Sequence, residues 1–138
     1  MFNEAGRPSL TQKWVRAILN EFYGTEGIHG YGYGQDEDQG QLGAWYVISS
    51  MGLFDVKGLT DSEPSVGLGA PLFDKITIQL NNQYYKGKEF VIEVKNNTAE
   101  NPYVQQYTLN GEALHETRIP FSALTEGCLL YTSDAADE

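Results

Sequence analysis

The chain has 138 residues with a formal net charge of −10, 41% of them hydrophobic and 20% charged. That size suits one modest globular domain with its own core, and no run approaches the roughly 18 apolar residues of a membrane span. The acidic balance argues against nucleic acid and anionic membranes as partners and suits a neutral or cationic ligand.

The first residues, "MFNEAGRP", are polar and lack the apolar core of a signal peptide. A helix is predicted from Ser9 to Tyr23. Pro8 precedes it, Ser9 and Gln12 form an S-x-x-Q capping box, and Gly24 occupies the C′ position. Trp14, Val15, Ile18, Leu19 and Phe22 recur at helical spacing. A loop with five glycines follows, from Gly24 to Gly34. A second helix is predicted from Gln39 to Met51, with Leu42, Trp45, Tyr46, Ile48 and Met51 as its apolar face.

After Phe54 the pattern changes. Asp55 to Ala70 reads as a connector rich in Gly, Ser and acidic residues. Period-2 alternation then begins. Ile76, Ile78 and Leu80 share one face of a strand. A turn near Lys86-Gly87-Lys88 leads to a strand with Phe90, Ile92 and Val94 on one face. Tyr103, Gln105, Tyr107 and Leu109 mark a third, and Asn110-Gly111 is a strong two-residue hairpin signal. The order is helical first and antiparallel β afterwards, an α+β class without internal repeats.

The final stretch, "CLLYTSDAADE", fits neither half. It resembles the translation of a sequencing-library adapter read through in frame, the alternative being an ordinary polar tail. On the adapter reading, residues 128–138 contribute nothing to folding. The gene is then cut short, and Met1 need not be its native start. Cys128 is the only cysteine, which excludes a disulfide framework and a cysteine-rich metal site.

The chemically suggestive run is Asp36-Glu37-Asp38, ahead of the second helix. Asp38 is placed as an N-cap, with Gln41 three residues on, and Asp36 and Glu37 then read as solvated loop charges. An EF-hand fails on spacing: Gly40 falls one position early, and the twelfth position is Val47 rather than Glu. Acid–base work is the other reading. Two carboxylates at i and i+2 can both reach one water, one taking its proton and the other orienting it. His29 and His115 have no partner suggestive of a triad or zinc site and read as loop or surface residues.

Several blocks together resemble glycoside hydrolase family 92, the calcium-dependent exo-acting α-mannosidases of bacteria. "DEDQGQLGAWYVISSMGLF" (36–54) is similar to the family's D/N-E-D-x-G-Q-x-S-A-W-Y-V signature, with Gly43 where Ser is usual. "GLGAPLFDKITIQL" (67–80) resembles its G-S-P-L-F-D-K-x-T-I strand. "NNTAENPYVQQYTLNGEAL" (96–114) resembles its asparagine-rich turn and T-L-N-G hairpin, and "TQKWVRAILNEFYG" (11–24) the helix before the signature. The resemblance implies an architecture in which residues 1–54 end an (α/α)6 catalytic barrel. Residues 55–70 connect to a C-terminal antiparallel β region, 71–127, that packs toward a β-sandwich domain. It implies hydrolysis of terminal 1,2-linked α-mannose from glycans, with inversion and with calcium as cofactor. Asp38 matches the base and Asp36 the second carboxylate; Glu37 receives no role. The family's Glu acid lies upstream of the signature, outside this sequence. The resemblance therefore implies an incomplete, inactive piece whose missing partner is the preceding part of its own chain. It also implies an extracytoplasmic location. It leaves the calcium ligands unassigned. The alternative function is a non-catalytic carbohydrate-binding β module with a helical linker.

Overall fold

The computed structural model describes residues 2–23, 39–98 and 102–134, with residues 129–134 described through their backbone. The order is α+β, as expected. Helix α1 spans Pro8–Phe22 and α2 spans Gln41–Ser50. Strands β1 (Leu53–Phe54) and β2 (Ser65–Leu68) join β7 (Arg118–Pro120) in a three-stranded antiparallel sheet, in the order β1-β2-β7. Strands β3 (Lys75–Gln79), β4 (Glu89–Lys95), β5 (Val104–Leu109), β6 (Glu112–Leu114) and β8 (Leu129–Asp134) form the larger sheet, ordered β3-β4-β8-β5-β6. A short helix, α3 (Phe121–Glu126), leads into β8. No helix among the described residues is long and apolar enough to cross a membrane.

The core follows the period-2 pattern. Phe90 and Ile92 of β4 are 0% exposed, and Val94 is buried beside them. From the smaller sheet, Leu53, Val66, Leu68 and Ile119 join the same cluster, with Tyr107 from β5 and Leu124 from α3. Cys128 is buried there too, and loss of water pushes its thiol up to about 11. The Asn110-Gly111 hairpin forms as expected. Both residues have positive φ, 51° and 87°, and Leu109 pairs with Glu112 across them.

Five expectations are corrected. First, the S-x-x-Q capping box does not form. The N-cap of α1 is Arg7, without a side-chain cap bond, and Pro8 starts the helix with its preset φ. Ser9 is already helical, and Gln12 is buried. Second, the N-cap of α2 is Gly40 rather than Asp38. Gln39 and Gly40 have φ of 57° and 83°, so the chain enters through a left-handed turn and the helix begins two residues late. Third, the Asp55–Ala70 connector contains β2, whose Val66 and Leu68 are buried in the core. Two apolar residues around a glycine are too short a signal for a strand. Fourth, β5 does not keep one face from 103 to 109. An irregularity between Val104 and Gln106 shifts the register, so Val104, Tyr107 and Leu109 meet the core while Gln105 is exposed.

The fifth correction concerns the tail. The segment read as contributing nothing supplies β8, which is inserted between β4 and β5. It runs parallel to β4, so the larger sheet is mixed rather than purely antiparallel. Main-chain pairing on both sides carries this strand, and main-chain donors are nearly independent of side-chain identity.

Candidate active site

Asp36, Glu37 and Asp38 lie outside the described residues, as do Gly24, the glycine loop and His29. The structure shows the two stems from which that segment runs. On the N-terminal side α1 ends at Phe22, and Tyr23 is extended, with φ −109° and ψ 134°. The Tyr23 ring stacks on Trp45 at 5.4 Å between centroids and tilts against Tyr46 at 5.1 Å. On the C-terminal side, the Gly40 carbonyl accepts from the Ala44 amide at 3.0 Å and opens α2. The aromatic contact thus fastens the end of one stem to the helix that follows the other. The opening turn of α2 contains no acidic residue. Its dipole therefore offers a positive end to carboxylates just before it in sequence. His115 is exposed, as expected.

Behind the stems, buried polar side chains tie α1 to the β layers. Gln12, 3% exposed, donates from Nε2 to the Tyr107 hydroxyl at 3.1 Å and accepts from the Val104 amide at 3.2 Å. The Tyr107 hydroxyl in turn donates to the Gly69 carbonyl at 3.2 Å. Arg16, 7% exposed, donates from Nη2 to the Pro71 carbonyl at 2.9 Å. With Leu19 these two form the inward stripe of α1, at i, i+4 and i+7. Sequence periodicity placed Leu19 on the apolar face, as found, but joined it there to Trp14, Ile18 and Phe22 rather than to Gln12 and Arg16. Trp14, Ile18 and Phe22 are exposed, Trp14 at 52% and Phe22 at 49%. On α2, Tyr46, Val47 and Ile48 are likewise exposed, while Ser49 and Ser50 are buried. A helix apolar on nearly every side is one made to be surrounded.

Arg118 is a second hub that the sequence did not announce. Its Nη2 donates to Asp55 Oδ1 at 3.0 Å and to the Ser65 carbonyl at 3.0 Å. Its Nε donates to Ser65 Oγ at 3.0 Å, and its Nη1 to Glu4 Oε1 at 3.2 Å. Asp55 also accepts from the Leu59 amide at 2.8 Å. That amide, then the Arg118 bond, hold the Asp55 carboxyl below the usual carboxylate range despite its loss of water. These charges are spent on one another, an arrangement that braces the smaller sheet rather than one free for proton transfer.

Between α1, β1 and β2 runs a groove of about 320 Å³, walled by Phe2, Trp14, Ile18, Phe54 and Leu68, with Arg118 at its edge. Its walls are mainly apolar, and its charged lining residues, Glu4 and Arg118, are paired with each other at 3.2 Å. Among the described residues no group of three or more His, Cys, Asp or Glu side chains could hold a metal.

An α+β body with two helices left open on their apolar sides has the build of one segment of a larger domain. The family model of the glycosyl hydrolase family 92 catalytic domain matches residues 1–133, and the chain belongs to that family. Solved structures agree on the fold. A family 92 α-mannosidase from Bacteroides thetaiotaomicron, in complex with mannoimidazole, superposes with a TM-score of 0.83 at 24% identity, over 99% of this chain and 17% of that one. The family 92 glycosyl hydrolase ccman5 gives 0.84 at 24% identity, over 99% of this chain and 20% of that one. An inverting family 92 mannosidase, also from B. thetaiotaomicron, gives 0.76 at 33% identity, over 94% of this chain and 16% of that one. The chain thus spans about a sixth to a fifth of the length of these relatives. No curated protein matches it.

Proposed function

We propose that this chain is the C-terminal part of a calcium-dependent, inverting exo-α-mannosidase that removes terminal 1,2-linked α-mannose from glycans outside the cytoplasm. The observation that carries the reading is the catalytic-domain match across residues 1–133, which takes in the Asp36-Glu37-Asp38 signature. Asp38 is the general base. It takes a proton from the water that attacks the anomeric carbon, on the face opposite the leaving oxygen. Asp36 holds that water. The acid that protonates the leaving oxygen comes from the part of the domain preceding this chain. A base must be ionised before it can accept a proton. Calcium, an oxygen-seeking ion, would when bound fix sugar hydroxyls.

The test is kinetic. In a complete catalytic domain carrying this segment, Asp38→Asn keeps the shape and removes the proton acceptor. Turnover on an aryl α-mannoside with calcium falls by about 10² to 10⁴, the usual weight of a general base, while KM moves far less. Turnover within a few-fold of the unsubstituted domain would remove Asp38 from the mechanism. The 138-residue chain alone should release no mannose from the same substrate, and calcium-dependent release by it would count against this reading.

A further inference from the structure

β8 sits in the middle of the larger sheet although it is the last strand described. β4 and β5 do not pair with each other. Each pairs with β8, through Val91–Lys95 parallel to Leu129–Ser133 and through Val104–Leu109 antiparallel to Leu130–Asp134. Without β8 the sheet divides into two hairpins, β3–β4 and β5–β6, each closed by its own ladder. Other contacts hold both in place. β4 is anchored by Phe90 and Ile92 in the core. β5 is anchored by the Val104 amide on Gln12 and the Tyr107 hydroxyl on Gly69. Two such edges, each with unpaired main-chain groups, make a gap that an extended segment can fill.

We propose that the gap between β4 and β5 is a strand-accepting slot, which binds an extended six-residue segment by main-chain ladders on both sides and takes 129–134 even when that segment is no longer joined to the chain. This is β-augmentation with two edges in place of one, so recognition rests on backbone donors and acceptors.

Cys128, the only cysteine, lies immediately before β8 and permits a unique cut. Cyanylation of its thiol in denaturant, followed by base, breaks the chain on its N-terminal side. The two pieces are then refolded together, beside uncut chain taken through the same steps. The expected result is co-elution of the pieces on gel filtration and displacement of the bound piece by fresh synthetic 128–138 peptide. The same peptide with Tyr131→Pro, which removes a ladder donor, competes at least about tenfold less well. A folded body with the peptide eluting free would overturn the proposal. So would failure of the cut pieces to refold where the uncut chain refolds, and so would equal competition by the proline peptide.

Discussion

Gln12→Leu tests whether α1 is held to the β layers by hydrogen bonding rather than by apolar packing. Gln12 is buried and bridges the Tyr107 hydroxyl at 3.1 Å and the Val104 amide at 3.2 Å. Leucine has nearly the same volume, so the change creates no large cavity. It removes the acceptor of the Val104 N–H at the start of β5, where the register is already irregular. A buried donor left without a partner costs about 1–3 kcal/mol, and the lost bond to the tyrosine about 0.5–1.5 kcal/mol. Burying the leucine returns about 1–2 kcal/mol of this. The net expected loss is about 2 kcal/mol, or roughly 8 °C in Tm for a domain of this size. Urea melts followed by circular dichroism at low protein concentration measure it. Tyr107→Phe alone, which also removes the bond to the Gly69 carbonyl, should cost about 1–2 kcal/mol, and the double variant less than the sum, because both changes remove the Gln12–Tyr107 bond. A Gln12→Leu chain as stable as the original, or strict additivity in the double variant, would refute the reasoning. Either result would mean that the Gln12 bonds do not seat α1, leaving that to Leu19 and the Arg16–Pro71 bond.

Two further outcomes follow from the geometry. Asp55 has its folded pKa lowered below the ordinary value of 3.8, first by the Leu59 amide and then by Arg118. A depressed carboxylate stabilises the fold above its unfolded pKa and loses that contribution as pH falls below 3.8 through the folded value. Asp55→Asn should therefore flatten the acid limb of the stability–pH curve there, and an unchanged limb in an acid titration would contradict the assignment. Gly87→Ala should destabilise by about 3 kcal/mol in a thermal melt, at the upper end of ordinary overpacking. The added Cβ would run into the backbone of Glu126 and Gly127, which cannot rotate aside as a side chain could. A loss below 1 kcal/mol would mean that the α3–β8 junction yields.

The sequence by itself determined the first two helices and the strands with a period-2 face, but not β2, β7, α3 or β8. Ile76, Ile78, Phe90, Ile92 and Val94 alternate because one face of each strand meets the core, and that pattern survives in any single window. Asn110-Gly111 announced its turn because two consecutive positive φ angles admit few other residues. The family signature around Asp36 and Asp38 was legible in the same local way. Tertiary structure alone decided which face of each helix turns inward. Spacing shows that Trp14, Ile18 and Phe22 form a stripe, but not what covers it. In this body the inward stripe is Gln12, Arg16 and Leu19, two polar residues whose burial rests on carbonyl, amide and hydroxyl partners 55 to 95 positions away. The central place of β8 was equally hidden. Its partners are main-chain groups of β4 and β5, and a backbone donor or acceptor leaves no mark in the identity of the side chain beside it.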